Sequence, residues 1–259
     1  NDYLYHILSS DLFFEYMMVG NIGVKMPRGN KKAILKFEIP TPTDKKVQQA
    51  IIDECGNIDN IFKENENNIE LAQKEVDRII SSISSINGKE FSLENVCLEL
   101  FAGGDKPKNN SSQATDICNI PIYSNGIEKD GLYGYTNESK VTQKSVTISA
   151  RGTIGFTVVR YTPFVPIVRL IVAVPNEEIV LAEYLRLALM NHGFVNTGGA
   201  TPQLTVPNIK SYKLIIPEIS IQKDLIRRVA EQERIIAESR LKMDSCPVTK
   251  QAILDKYLK

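Results

Sequence analysis

The longest regular pattern in the chain is a seam of mostly apolar positions between residues 47 and 83. These positions recur in alternating steps of three and four residues, and this heptad spacing predicts a long coiled-coil helix. Asn65 lies within the seam, where a polar residue either fixes the register at a cost in stability or leans towards the surface. The seam consists of Val47, Ile51, Cys55, Ile58, Phe62, Asn65, Ile69, Ala72, Val76, Ile79 and Ile83.

A second helix with the same spacing is predicted near the end of the sequence. Pro247 is expected to end or kink this helix, because proline lacks the backbone N–H, and a new helix is expected to start there and run to Leu258. Neither helix can bury its apolar stripe alone, so the two are predicted to pack on each other. The second seam consists of Leu225, Val229, Gln232, Ile236, Ser239, Met243 and Cys246.

The residues between the two helices follow a different pattern, with β-branched runs bounded by glycine and proline. Residues 146–150, 156–161 and 166–174 are predicted to form strands, with Arg169 in a structural role inside the third. Long polar loops are predicted at 103–113, 123–140 and 196–208. The fold class that follows is α+β, with a mixed, β-rich domain and two long helices packed as an antiparallel coiled coil.

An internal duplication is indicated by the matched order of several features. Tyr3 opens an apolar helical pattern through Phe13, and an Ile-Pro pair at 39–40 and a glutamine at 48 or 49 follow it. The same order recurs from Tyr184 through Phe194 to an Ile-Pro pair at 216–217 and then Gln222. We therefore predict that the chain contains two related segments, each leading into a long helix.

Composition excludes several classes of protein. Lys plus Arg number 31 and Asp plus Glu number 31, so any nucleic-acid surface must be local. Residues 103–216 carry a mild excess of positive charge, with about 11 basic against 8 acidic residues. The four cysteines form no CxxC pair and are interpreted as reduced thiols of a cytoplasmic protein. We expect no membrane span and no secretory leader, and the opening at Asn1 within a helical pattern indicates a piece of a longer chain.

The chemistry-bearing motifs of common enzyme classes are missing from the sequence. The two histidines, His6 and His192, have no neighbouring metal ligands or nucleophile, and we find no phosphate-binding GxxxxGK[ST] loop. The GxxG at 152–155 is too short for a dinucleotide fold. A binding module without metal or cofactor is therefore favoured over an enzyme.

The polar loops contain side chains suited to duplex DNA. Lysines can neutralise phosphates, and asparagine and serine can bond to the backbone or base edges. Gln203 has the donor and acceptor that match adenine, and Arg151 has the donors that match guanine. Arg151 as a salt-bridge partner and the tyrosines as rim packing remain open alternatives. The candidate DNA-binding residues are Lys106, Lys108, Asn109, Ser124, Asn125, Tyr133, Tyr135, Lys140, Arg151, Thr153, Thr201 and Gln203.

The chain resembles the DNA-specificity subunit of type I restriction-modification systems, and its C-terminal half in particular. The most specific stretch is TISARGTIG at 147–155, and an Ile-Pro-x-x-x-x-Gln sequence leads into the second long helix as it does in that family. The resemblance extends over about the whole chain. The stretches that carry it are 91–108, 120–135, 145–155, 198–210, 213–226 and 250–258.

The resemblance implies a division of the chain into four parts. Residues 1–40 would be the tail of a preceding recognition domain or of a fused methyltransferase, and 41–87 the first spacer helix. Residues 88–217 would be the target-recognition domain, and 218–259 the second spacer helix. The side chains implied in spacing and partner docking are Ile51, Ile58, Phe62, Asn65, Ile69, Val76, Leu225, Val229, Ile236 and Met243.

The resemblance also implies partners and a mechanism. A non-catalytic reader would bind double-stranded DNA and direct bacterial adenine-methyltransferase subunits, and a restriction subunit, to a target sequence. S-adenosylmethionine, ATP and Mg²⁺ would be used by those partner subunits and not by this chain. Because only one complete recognition domain is present, a homodimer would be needed to read a two-part site.

Two other functions are left open by the sequence. In one, the coiled coil is the functional part of a protein–protein interaction scaffold and DNA is not read. In the other, the chain is an enzyme with an unrecognised site, such as a nuclease.

Overall fold

The computed structural model describes residues 2–18, 34–194 and 203–258, and it forms two compact units. One unit is formed by Asn1–Lys74 with Gln232–Lys259, and the other by Glu75–Glu231. Two long helices, α3 and α7, each contribute a segment to both units. In chain order the helices are α1 (Asp2–Leu8), α2 (Asp11–Met18), α3 (Lys45–Ser82), α4 (Leu93–Val96), α5 (Ala182–His192), α6 (Val206–Ile209) and α7 (Ile219–Leu258).

The long helices bury the predicted seams, so their pairing is confirmed. Helix α3 begins where the Asp44 carboxylate accepts the backbone N–H of Lys46 at 2.8 Å, which satisfies one free donor of the first turn. Phe62 is a local exception, because it is more than a third exposed. The seam positions that are buried are Ile51, Cys55, Asn65, Ala72, Val76 and Ile79 on α3, Ile83 in the short 3-10 turn that follows it, and Leu225, Val229, Ile236, Ser239 and Cys246 on α7.

Asn65 is a buried seam residue. The residue is only 4% exposed. Its Nδ2 donates to the carbonyl of Ile61, one turn earlier in the same helix, at 2.7 Å. The surface-leaning alternative is therefore wrong. The bond within α3 satisfies a donor that would otherwise be costly to bury.

Pro247 does not divide the second helix. Helix α7 is continuous over 40 residues with Pro247 inside it, so the predicted new helix start at this position is wrong. Proline in a helix interior costs about 3 kcal/mol through the lost hydrogen bond and the ring clash. Cys246 and Leu254 are buried on either side of it, and the packing of this stripe offsets the cost.

The first unit has a small core between its short and long helices. Ile7 of α1 packs with Ile51, Cys55 and Leu254 from the long helices. Ion pairs join the two long helices beside this core, with Lys250 Nζ at 2.8 Å from Asp59 and Lys256 Nζ at 3.0 Å from Glu54. The helical pattern predicted from Tyr3 through Phe13 is divided into α1 and α2.

The second unit contains three sheets whose core is formed by buried strands and helix α5. A four-stranded sheet has the order β2-β8-β5-β6, a three-stranded sheet has β4-β3-β7, and β1 pairs with β9. Every residue of β5 and β8 is buried. The strands are β1 (Lys89–Ser92), β2 (Cys97–Ala102), β3 (Ile120–Tyr123), β4 (Leu132–Thr136), β5 (Ser145–Ile148), β6 (Thr157–Arg160), β7 (Val165–Pro166), β8 (Ile171–Pro175) and β9 (Lys213–Ile216).

The third predicted strand is interrupted. Residues 166–174 do not form one strand, because Val168 and Arg169 both have positive φ values, 52° and 62°, and separate β7 from β8. The N–H of Leu170 donates to the carbonyl of Ile167 at 3.0 Å and closes a tight turn. Arg169 is exposed in this turn, so its assignment to the inside of a strand is wrong.

Similar pairs of contacts are found in the two segments predicted to be related, although their acceptor carbonyls do not lie at matching positions. In the first unit the Tyr3 hydroxyl donates to the carbonyl of Pro40, and Gln48 Nε2 donates to that of Pro42 at 2.8 Å. In the second unit Tyr184 Oη donates to the carbonyl of Ile215, and Gln222 Nε2 to that of Pro217, both at 2.9 Å. The two segments differ in their extended parts, since 213–216 form β9 whereas 37–42 form no strand.

Candidate nucleic-acid interface

The backbone of Ala150, two residues after the end of β5, brings together three loops that are distant in sequence. Its N–H donates to the side-chain oxygen of Asn125 at 2.7 Å, and its carbonyl accepts the N–H of Leu204 at 2.9 Å. Candidate residues from the loops at 123–126, 149–155 and 203–204 therefore lie around one point, which we call the Ala150 junction. Sequence alone places them up to some eighty positions apart.

Arg151 and Gln203 are directly bonded at this junction. The Nε and Nη2 atoms of Arg151 donate to Gln203 Oε1 at 3.1 Å and 2.8 Å. Both lone pairs of the amide oxygen are thereby used. The pair therefore presents only N–H donors to a ligand. Gln203 is then no longer suited to adenine, which needs an acceptor as well as a donor.

Asn125 is a bridge between two loops. Besides accepting the Ala150 N–H, it donates from Nδ2 to the carbonyl of Val168 at 2.8 Å. These two bonds connect the Ala150 junction to the turn between β7 and β8. The amide therefore fixes the relative position of two loops, which is a positioning role beside its predicted contact with DNA.

The turn between β7 and β8 is also bonded to the loop after β2. The N–H of Arg169 donates to the carbonyl of Gly103 at 3.0 Å, and that of Val168 to the carbonyl of Gly104 at 2.9 Å. A Cβ at Gly103 would lie 2.6 Å from the backbone of Pro166, so only glycine allows this approach. The loop that begins at Gly103 carries the candidates Lys106 and Lys108.

Lys106 lies beside Tyr133 of β4, and the two candidates form one feature. The ammonium is 5.6 Å from the centre of the ring, within the range of a cation–π contact, and both residues are exposed. Tyr135, on the same strand, exchanges two backbone hydrogen bonds with Ser111 at 2.9 Å and 2.8 Å. This pairing fixes the loop of 103–119 against β4.

Lys108, Asn109 and Lys140 line one groove of about 440 Å³. Asp105 and Glu138 line it as well, so the groove is polar and carries both signs of charge. The backbone carbonyl of Asn109 accepts a hydrogen bond from the hydroxyl of Thr136 at 2.6 Å. The residue is otherwise exposed, so its side-chain amide is available to a ligand.

The remaining candidates are distributed along the same loops. Ser124 lines a second groove with Asn125 and Tyr133, and its N–H donates to the carbonyl of Gly131 at 2.9 Å. Thr153 is exposed in the tight turn after β5, where its carbonyl accepts the N–H of Phe156. Thr201 lies outside the described residues.

Arg160 is a buried cation that the sequence analysis did not single out. Its guanidinium lies 3.6 Å from the centre of the Tyr123 ring, and its Nε donates to Thr147 Oγ1 at 3.0 Å. Burial lowers the pKa of this guanidinium from its ordinary value. Its contacts join β5, β6 and the end of β3, which makes Arg160 part of the scaffold beneath the loops.

Clustered metal ligands and paired cysteines are absent from the described residues. Among residues 2–18, 34–194 and 203–258, no three His, Cys, Asp or Glu side chains are grouped as metal ligands. All four cysteines are free thiols, and burial raises the pKa of Cys97 to about 12, which keeps that thiol protonated. No helix in the described ranges is long and apolar enough to cross a membrane.

The comparison with known families identifies the chain. Residues 87–238 match the model of the type I restriction modification DNA specificity domain. The match covers more than half of the chain, so the chain belongs to this family. The resemblance seen in the sequence is thereby confirmed.

Curated relatives carry the same family name. The putative type I specificity subunit S.MpnORF507P of Mycoplasma pneumoniae is 32% identical over 151 residues, which are 58% of this chain and 41% of that protein. S.MpnORF89P, of the same organism, is 35% identical over 137 residues, or 53% and 41% of the two chains. The matches thus span less than half the length of these relatives.

Solved structures share the fold along the chain. The crystal structure of the type I restriction-modification S subunit from M. genitalium has a TM-score of 0.68 at 16% identity and covers 100% of this chain and 72% of its own. The HsdS subunit from Thermoanaerobacter tengcongensis has a TM-score of 0.55 at 13% identity, covering 99% and 69%. These likenesses confirm the α+β architecture with two long packed helices.

Proposed function

We propose that the chain is a sequence-specific reader of duplex DNA and that the loops around the Ala150 junction make the contacts. The observation that carries the proposal is the convergence of Asn125, Arg151 and Gln203 from three loops. Asn125 and Leu204, the neighbour of Gln203, bond to the backbone of Ala150, and Arg151 bonds to Gln203. Polar side chains fixed on a strand scaffold can match base edges without a large ordering cost. Family membership supports the same role.

The lysines supply the part of binding that does not depend on sequence. Lys106, Lys108 and Lys140 are exposed around the same group of loops and are suited to phosphate contacts. Such contacts fix the register of the protein on the duplex, and the base-edge contacts then select the sequence.

The two long helices serve as spacer and docking surface in this proposal. Several of their apolar side chains are exposed in the first unit, and exposed apolar side chains are typical of protein–protein contact surfaces. Methyltransferase subunits are the proposed partners, with a restriction subunit or a second copy of this chain as further components. The exposed large apolar residues of these helices in the first unit are Ile61, Phe62, Leu71, Leu241 and Val248.

The chain itself supplies recognition and no chemical step. S-adenosylmethionine, ATP and Mg²⁺ are assigned to the partner subunits, and the assembly acts on chromosomal or invading DNA in the cytoplasm. The contacts of Tyr3 and Gln48 with the segment after 39 are similar in kind to those of Tyr184 and Gln222, which supports the interpretation of residues 1–40 as the end of a recognition domain.

A binding titration tests the proposal against the scaffold alternative. The purified chain is titrated with a fluorescent pool of random duplexes at several salt concentrations, alone and with the methyltransferase subunit. We expect binding that weakens steeply with salt, because phosphate contacts release counterions. Tight capture of the methyltransferase with no duplex binding in either arm would favour a scaffold and overturn the proposal.

A further inference from the structure

The turn between β7 and β8 has a backbone that its residues do not favour. Val168 and Arg169 both adopt positive φ, the arrangement found in turns that usually carry Asn-Gly. A β-branched residue such as valine in the left-handed region is a genuine outlier. If the turn only connected two strands, residues that favour this backbone, such as Asn-Gly, would be expected in place of valine and arginine.

The surrounding structure fixes this turn from several sides. Gly103 exchanges two bonds with it, donating to the carbonyl of Leu170 at 2.8 Å and accepting the N–H of Arg169. Gly104 accepts the N–H of Val168, and Asn125 donates to the Val168 carbonyl. A strained backbone persists only when its surroundings determine it in this way, and such positions cluster at functional sites.

The side chains at the tip of the turn are open to solvent. Val168 is 47% exposed, and Arg169 is exposed beside it. No ion pair or hydrogen bond from the Arg169 guanidinium is present among the described residues. Its donors are therefore accessible to a ligand.

The position of the turn connects it to the loops proposed to read DNA. Asn125 bonds to Val168 on one side and to Ala150 on the other, so the turn and the Arg151–Gln203 pair flank a single side chain. Gly104, at the base of the turn, leads into the loop that carries Lys106. The exposed Arg169 guanidinium is therefore placed to contact the DNA that the Arg151–Gln203 pair and Lys106 are proposed to bind.

We propose that the Val168–Arg169 turn is a base-reading finger, in which Arg169 donates to the acceptors of a guanine and Val168 packs on the methyl group of a neighbouring thymine. A guanidinium matches the O6 and N7 atoms of guanine in the major groove, and a small apolar side chain matches the thymine methyl. The inference rests on the proposed DNA-reading function and adds a specificity-determining residue to it.

Selection of bound duplexes from a random pool tests this assignment. Wild-type protein, Arg169→Ala and Arg240→Ala are compared, the last removing an exposed arginine from α7. We expect Arg169→Ala to lose the preference for one guanine. Its affinity for the wild-type consensus should fall by about tenfold or more. Arg240→Ala should keep the consensus and its affinity.

A second variant separates the role of the side chains from that of the fold. Val168→Asn with Arg169→Gly provides the residues that this backbone favours, so we expect a higher melting temperature together with the same loss of guanine preference. Replacing that guanine by 7-deazaguanine should weaken wild-type binding and leave Arg169→Ala unaffected. An unchanged consensus for Arg169→Ala, or a lower melting temperature for the double variant, would overturn the inference, whereas absence of any consensus for the wild type would overturn the proposed function itself.

Discussion

The guanidinium of Arg151 holds the side-chain oxygen of Gln203 in a two-pronged hydrogen bond, at 3.1 Å from Nε and 2.8 Å from Nη2. The two residues are 52 positions apart in sequence. Adenine recognition by glutamine needs both its donor and its acceptor, and here the acceptor is engaged. The bonded pair is instead suited to acceptors, on guanine or on phosphate.

Arg151→Lys tests whether the pair acts as a unit. Lysine keeps the positive charge but cannot form the two-pronged bond. We expect affinity for the selected duplex to fall by about 1–3 kcal/mol, with little change on random duplex. Affinities are measured for Arg151→Lys, Gln203→Ala and the double variant. Strictly additive losses would contradict a coupled pair, because directly bonded residues should give a non-additive cycle.

Lys108→Ala tests the phosphate role of the groove. Removing one phosphate contact should weaken binding to all duplexes alike and reduce the slope of log affinity against log salt by about 0.9. The control is Lys63→Ala, which removes an exposed lysine from α3. If the two variants gave the same slope as the wild type, Lys108 would not contact the backbone.

His6 makes the first unit sensitive to acid. Burial and the Lys250 ammonium lower the pKa of His6 from its ordinary 6.5, against the opposing effect of Asp59 and Asp2. The unfolded chain therefore binds a proton that the folded chain does not, and stability falls as the pH drops below about 6.5. Melting temperatures measured between about pH 5 and pH 8 should show this decline.

His6→Asn should remove most of that decline, because the replacement does not titrate. The other histidine offers a matched control, since His192 is exposed and stacks on Tyr212 in the second unit. His192→Asn should leave the decline in place. Equal pH profiles for the wild type and His6→Asn would show that another group is responsible.

Asn65→Leu tests the cost of the polar residue in the α3 seam. The amide is buried and bonds only within its own helix to Ile61 among the contacts described, so it adds little to the pairing of the helices. We expect a leucine to raise the free energy of unfolding by about 1 kcal/mol in a denaturant titration. Asn67→Leu, on the exposed face of the same helix, should have almost no effect. A loss of stability in Asn65→Leu alone would indicate that the amide is required for packing.

Sequence periodicity was sufficient to predict the long helices, because the heptad seam from Val47 to Ile83 is a local pattern with a direct structural meaning. It was not sufficient at Pro247, where the buried residues on either side outweigh the local preference of proline. The strand break at Val168 and Arg169 could not be predicted either. Valine favours strands, and the bonds from Gly103 and Asn125 that impose the turn come from distant parts of the chain.

The candidate site shows the same division. Residue type identified Arg151, Asn125 and Gln203 as suited to nucleic acid, but only the fold shows that Ala150 joins them and that one amide oxygen is already engaged. Arg169 was assigned to a strand interior because its neighbours are apolar. The apolar residues around Arg169 do not alternate with polar ones, which argues against a half-buried strand. A pattern of this kind does not predict a tight turn that contains no glycine.

The loops of the second unit are proposed to read a DNA sequence. Repeated selection from a random duplex pool, followed by sequencing of the bound fraction, tests it most directly, with the methyltransferase subunit present and absent. We predict one enriched half-site whose preferred bases change when Arg151 and Gln203 are replaced and stay the same when Lys63 is replaced. A folded protein that enriches no sequence in either arm, or one whose consensus is unaffected by changes at Arg151 and Gln203, would contradict it.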